Sequence, residues 1–176
     1  MFQIRQSVFE TNSSSSHSIV VKKKGGYDTS SMQEECNQGI IRLWEAEMDF
    51  GRGFELLHNW EGRLRYAIAY YADRPSIVEG LLEALRKRVP GFRDVSFHFS
   101  RGNDYDENGI RRYPGWVDHQ SYGVLDIALR EEEISLDEFV LNDKYMVVVD
   151  GDEYDQWGAL KAARVVNLDE IEEEYN

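Results

Sequence analysis

A run of hydroxyls ending in one histidine lies close to the start of the chain: Phe9-Glu10-Thr11-Asn12-Ser13-Ser14-Ser15-Ser16-His17-Ser18. Imidazole is the side chain whose unperturbed titration falls near neutral pH, so His17 is the natural proton carrier of this segment. Cleavage of RNA by attack of a 2′-hydroxyl needs a base, an acid and donors for the non-bridging phosphate oxygens. His17 with Ser14 and Ser16 can supply a proton carrier and donors together. Glu10 can orient the ring or act as a second acid–base group, and Arg5 can meet the phosphate. Other chemistry is open to the same residues. A hydroxyl can be the nucleophile of acyl or phosphoryl transfer, with Arg5 and the serines gripping a nucleotide cofactor. The run can also be a tight polar turn whose serines satisfy their own backbone.

Cations stand where they can assist RNA binding. Lys22-Lys23-Lys24 leaves the serine segment, and Arg111-Arg112 lies among Tyr105, Tyr113, Trp116 and Tyr122. Aromatics beside arginines suit single-stranded RNA, although packing on a core is the plainer use of the same rings. The alternative centre is acidic. Asp150, Asp152, Glu153 and Asp155 follow a strand-like run, and carboxylates at a strand end can hold Mg²⁺ for phosphodiester cleavage or form a solvated turn. Beyond that divalent metal no cofactor is expected. Asp104, Asp106, Asn108 and Gly109 open a calcium-loop pattern, but Gly115 stands where the bidentate glutamate belongs, and Asn108-Gly109 is as good a hairpin turn. His58, His98 and His119, which follows Asp118, read as structural. Glycine-rich phosphate loops, H-E-x-x-H, paired C-x-x-C and G-x-S-x-G do not occur.

The elements that must position these groups follow from periodicity. Residues 2–9 and 18–23 alternate as strands, so the serine run becomes the connection of an N-terminal hairpin, ended by Gly25-Gly26. Residues 40–50 fit strand or helix. Helical spacing covers 53–72, and a second helix covers 75–88, with Pro75 in its first turn and Ile77, Leu81 and Leu85 as its buried stripe. Pro90-Gly91 stops it. Residues 93–99 alternate as a strand whose polar side carries His98, and 101–121 is a long polar loop. A short apolar segment spans 123–130. Ser135-Leu136-Asp137-Glu138 reads as a capping box. Residues 144–149 form a near-continuous apolar strand, expected to be central. A helix is expected at 154–163 and a short strand at 165–166. The tail at 168–176 is acidic, with 168–174 a candidate helix. No linker or repeat interrupts the chain, so residues 1–176 read as one α+β domain with a mixed or antiparallel sheet and packed helices.

The totals narrow the function classes. The chain has 176 residues, 41% of them hydrophobic and 12% aromatic, enough for one ordinary core. A net charge of −13 opposes non-specific binding to nucleic acid. It leaves a basic partner, or nucleic acid met through local basic spots within a larger basic complex. The single cysteine, Cys36, fits a reducing compartment. No export signal is expected at the start, and no apolar run approaches the roughly 18 residues needed to span a bilayer. A cytoplasmic setting is therefore expected.

The segment IRQSVFETNSSSSHSIVV resembles the N-terminal signature of small proteins carried by phages and mobile elements of Gram-positive bacteria. LDEFVLNDKYMVVVDGDEYDQW is similar to the later block of such proteins. Some of these resemble anti-CRISPR proteins that act on type II-A systems, including a group associated with shortening the single guide RNA of Cas9. The resemblance implies Cas9 and its guide RNA as partners, in the cytoplasm of a bacterial host. It implies truncation of the guide RNA as the activity and places the functional burden on Asn12, Ser13, Ser14, Ser15, Ser16 and His17. Asn12, Ser13 and Ser15 would then touch RNA together with the lysine and arginine clusters. Two other readings stay open: a non-catalytic acidic inhibitor that mimics nucleic acid and binds a basic host defence nuclease, and a nucleotide-dependent transferase that modifies a host protein.

Overall fold

The computed structural model describes residues 16–36, 39–51, 53–100, 105–118, 121, 123–150, 156–162 and 167–176. In chain order the strands are β1 (Ser16–Lys22), β2 (Ile40–Trp44), β3 (Asp49–Phe50), β4 (Glu55–Leu57), β5 (Asp94–His98), β6 (Trp116–Val117), β7 (Tyr145–Asp150) and β8 (Ile171–Tyr175). The helices are α1 (Ser30–Glu35), α2 (Trp60–Tyr70), α3 (Pro75–Arg88), α4 (Val124–Glu131), α5 (Leu136–Leu141) and α6 (Gln156–Ala162). The class is α+β. An antiparallel sheet of order β4-β7-β1-β8 is accompanied by two short parallel pairs, β2–β5 and β3–β6.

The expected central strand is β7, flanked by β4 and β1. Its near-continuous apolar run follows from burial on both faces. On one face Val147 and Val149 join Ile19 and Val21 of β1 in the main core, with Leu64 and Ile68 of α2, Leu82 of α3 and Phe139 of α5. On the other face Val148 and Val20 pack with Trp157 of α6. Partners on opposite faces of one strand require period-two alternation, which β1 keeps from His17 to Val21.

Helix α2 begins later than its periodicity predicts. Leu57 is still in a strand, paired with Val147, and the side chain of Asn59 accepts from the Gly62 amide at 2.8 Å as the N-cap. The apolar residues Phe54 and Leu57 mimic helical spacing but belong to the strand side of that cap. Almost every side chain of α2 is buried, Arg63 included. The Arg63 guanidinium donates to the carbonyls of Val140 at 3.0 Å, His58 at 2.7 Å and Tyr145 at 3.1 Å. Burial lowers its pKa to about 10.

Helix α3 has the expected bounds, but its buried stripe is Val78, Leu81, Leu82 and Leu85, with Ile77 at the surface. Ser135 precedes α5 in extended conformation and makes no side-chain cap; Asp137 of the expected box pairs instead with Arg88 at 2.8 Å. The acidic tail is not a helix. One 3₁₀ turn, Leu168–Glu170, leads into β8, which pairs antiparallel with β1. Tertiary contacts override the helical composition there: Glu174 accepts from the Trp157 indole at 2.9 Å and pairs with Lys161 at 3.0 Å, while Lys144 pairs with Glu172 at 2.9 Å. A charged strand also suits this position, because an edge strand must not recruit another sheet.

The strand expected over 2–9 lies outside the described residues, as does the one at 165–166. From Ile19 to Val21 both edges of β1 are occupied, by β7 and by β8, so a hairpin partner has no free edge over those residues. No described helix is long and apolar enough to cross a membrane.

Candidate functional site

Alternation along β1 turns His17 towards the helices with Ile19 and Val21, leaving Ser16 at the surface. Residues Arg5, Glu10, Asn12, Ser13, Ser14 and Ser15 lie outside the described residues. His17 is only 2% exposed. Its Nδ1 is 3.2 Å from the Tyr66 hydroxyl of α2, and the two rings are tilted at a centroid distance of 5.6 Å. The Phe50 ring meets Tyr66 edge-on. Desolvation lowers the His17 pKa to about 4, opposed in part by the Asp118 carboxylate and the Phe50 carbonyl. The expected proton carrier is therefore a buried, neutral imidazole at pH 7. A general base must come within about 3 Å of the proton it takes. At 2% exposure the ring is closed to such a substrate in this conformation.

The groups around His17 were only partly legible in the sequence. Asp118, whose charge acts on His17, is buried at 4%, and its carbonyl accepts from the Ser121 amide at 2.9 Å. Asp118 stands out in the sequence as the neighbour of His119, whereas its carboxylate acts on His17. Beyond Tyr66 the network continues along α2. The Tyr70 hydroxyl accepts from the Gly123 amide at 2.6 Å and donates to Asp126 at 3.2 Å, and Tyr71 donates to the other oxygen of Asp126 at 2.6 Å. Arg74 lies over the Tyr71 ring at 4.5 Å. Burial raises the Tyr66 pKa well above the ordinary phenol value and raises Tyr70 to about 12, so these hydroxyls stay protonated. The spacing of Tyr66 and Tyr70 on α2, with Tyr71 as its C-cap, was the available signal.

The proposed RNA-binding cations are not gathered at this site. Lys22 is five positions along β1 from His17, about 17 Å at strand rise. Its backbone bonds to Lys144, and that of Lys23 to Glu170, at the far end of the sheet. Lys23 and Lys24 are exposed. Arg111 is pinned: it donates to Asp94 at 3.1 Å and to the Val95 carbonyl at 2.6 Å, and its side chain is 14% exposed. Arg112 is exposed and lies over Phe99 at 5.4 Å.

Of the acidic alternative, Asp150 alone lies within the described residues. Asp150 is buried, and its two oxygens accept from the Gln156 and Trp157 amides, each at 3.0 Å, which caps α6. Each oxygen thereby takes one amide of the helix. Asp152 and Glu153 lie outside the described residues. Among the described residues no group of three or more His, Cys, Asp or Glu is placed to hold a metal ion. In the calcium-like segment, Asp106 accepts from the Asn108 and Ile110 amides at 2.8 Å each, and Tyr105 bridges Arg111. That is a hairpin turn with Gly109 at φ +75°.

Open concave surface lies elsewhere. Two clefts meet at Gly115 and Trp116. One, of about 130 Å³, runs between Trp116 and Tyr70, Ala72 and Asp73. The other, of about 330 Å³, is lined by Glu45, Ala46, Asp49 and Ser100. Gly115 sits at φ +110° against the Ala69 backbone, where a Cβ would collide, so glycine is required for the close approach that sets Trp116 at the rim. Glu45 accepts from the Ser100 hydroxyl at 2.6 Å and its amide at 2.8 Å, which holds its carboxyl below the usual range.

No protein-family model, curated protein or solved structure matches this chain.

Proposed function

We propose that this protein is a non-catalytic acidic inhibitor that binds a basic, nucleic-acid-handling host protein, with Cas9 of a type II-A system as the partner implied by the N-terminal resemblance. One observation carries the reading: the chain engages half of its 20 lysines and arginines within itself. Arg65, Arg74, Arg86, Lys87, Arg88, Arg111, Arg130, Lys144 and Lys161 pair with carboxylates, and Arg63 is buried on carbonyls. With a net charge of −13, the unneutralised charge left at the surface is predominantly carboxylate. Such a field steers a basic partner. Glu45, Asp49 and Asp73 beside the exposed Trp116 ring offer arginine or lysine side chains both charge and a π face.

Truncation of guide RNA at the serine–histidine segment is the competing reading. It is supported by the Asp118–His17–Tyr66 arrangement that directly follows the serine run, and opposed by the burial of His17. One experiment separates the two. The protein is incubated with Cas9 loaded with end-labelled guide RNA, and DNA cleavage and guide length are read from the same samples. Inhibition with an intact guide, and binding that weakens as salt rises, is the expected result. A shortened guide would establish the enzyme, and undiminished DNA cleavage without association would remove Cas9 as the partner.

A further inference from the structure

The β2–β5 pair leaves one face in solvent. Ile41 and Leu43 of β2 and Val95 and Phe97 of β5 enter the main core. The opposite parity places Arg42 across from Ser96 and Trp44 across from His98. Parallel strands are ordinarily covered on both faces. Here Arg42, Trp44 and His98 are exposed, Trp44 at 51%. The His98 ring sits 4.2 Å from the Trp44 ring, at an interplanar angle of 55°. The indole is therefore half-exposed at the surface and in contact with the imidazole.

Arginines lie on and next to this strand pair, with Arg42 lining a cleft that also holds Glu35 and Glu61. Arg42, Arg93 and Arg112 are exposed and enter no ion pair among the described residues. Arg42 shares the outward face with Trp44, one strand repeat away, or about 7 Å. Arg112 lies over Phe99, the residue after His98, and acts on Glu45, the residue after Trp44. Arg86 and Arg111 both converge on Asp94 and neutralise it. In a chain of net charge −13, Arg42 and Arg112 thus flank a tilted pair of exposed rings on a sheet face.

We propose that this face binds single-stranded nucleic acid, with a base stacked on Trp44 beside His98 and the adjoining phosphates met by Arg42 and Arg112. Base-on-aromatic stacking tolerates any sequence, and flanking arginines supply phosphate contacts. A duplex keeps its bases stacked internally and cannot offer a base face to the indole. A basic protein is the poorer occupant, because Arg42 and Arg112 would repel it. The inference is independent of the inhibitor reading, since it concerns the protein and an oligonucleotide alone.

The test is fluorescence anisotropy at low ionic strength with a labelled short RNA of mixed sequence, the same sequence as single-stranded DNA, and the RNA as a duplex. Wild-type protein is expected to bind the single strands and not the duplex. Trp44→Ala is expected to bind about ten-fold more weakly or worse, with Trp44→Phe recovering most of the loss. Arg42→Glu is expected to weaken binding to all sequences and to lower the salt slope by about one. The altered side chains are at the surface, and circular dichroism melts check that each variant is folded. Failure of the wild type to bind either single strand would overturn the proposal. So would undiminished, wild-type affinity in Trp44→Ala and Arg42→Glu, equal binding of duplex, or a protein partner lost in Trp44→Ala while no oligonucleotide binds.

Discussion

The Tyr66 hydroxyl lies 3.2 Å from Nδ1 of His17, joining β1 to α2 across 49 positions of sequence. The contact is buried, and it turns the residue best suited by type to move a proton into part of the core. Desolvation keeps the imidazole neutral, and the phenol beside it stays protonated. His17 and Tyr66 therefore form a polar tie between sheet and helix, with Asp118 nearby as the charge that limits the shift.

That tie makes stability depend on pH. The folded pKa of His17 is about 4, below its unfolded value of 6.5, so the unfolded chain takes up the proton first. The contribution is fully present above pH 6.5 and is lost as pH falls from there through 4, to a total on the order of 3 kcal/mol. Urea unfolding of the wild type and His17→Gln between pH 7 and pH 4 should show a steeper decline in the wild type. Parallel curves would mean that His17 does not carry the dependence.

Arg63 ties α2 to the β7 side of the core through three carbonyls. Replacing it with methionine leaves those acceptors unpaired at buried or half-buried positions, at a cost of about 3 kcal/mol or more. Arg63→Lys should fall between, because an ammonium cannot reproduce the planar fork. Chemical denaturation measures both, and a near-neutral Arg63→Met would show that water reaches these carbonyls.

Asp150 separates a helix cap from a metal ligand. Asp150→Ala should cost about 1–2 kcal/mol by removing the acceptor for the Gln156 and Trp157 amides. Addition of Mg²⁺ or Mn²⁺ should leave the melting temperature of the wild type unchanged, since both carboxylate oxygens are engaged. A metal-dependent rise in the wild type that vanishes in Asp150→Ala would reinstate the acidic centre.

Strand β8 closes one edge of the sheet. Removing residues 171–176 strips the pairing from Ile19 to Lys22 and frees Trp157 and Lys161 from Glu174. The truncated protein should melt earlier and scatter light in proportion to its concentration, because β1 then presents an unpaired apolar edge. A truncated protein that stays monomeric would show that β8 is dispensable for protecting the edge.

Local patterns with a single period were legible. The bounds of α3 follow from Pro75 and the stop at Pro90-Gly91, and the alternation of β5 follows from Val95 and Phe97. The central place of β7 follows from its unbroken apolar run. Reading failed where two periods overlapped or where composition competed with an edge. Phe54 and Leu57 blended a strand into the helix after it, and the glutamates of 168–174 suggested a helix until β1 required a partner.

The sequence by itself determined the class, the main elements, the excess of acid and the candidate chemistry of the serine–histidine segment. These depend on residue type and near-neighbour spacing. The tertiary structure alone decided what surrounds each candidate. His17 became a buried neutral ring because Tyr66, Phe50 and Asp118 close over it from distant elements. Asp150 became a cap and Arg111 a structural clamp because helix and strand ends arrive there. Trp44 and His98 became an exposed pair because parallel pairing sets them in register. Desolvation and hydrogen bonding are properties of a site's surroundings, and those are assembled only when residues far apart in sequence meet.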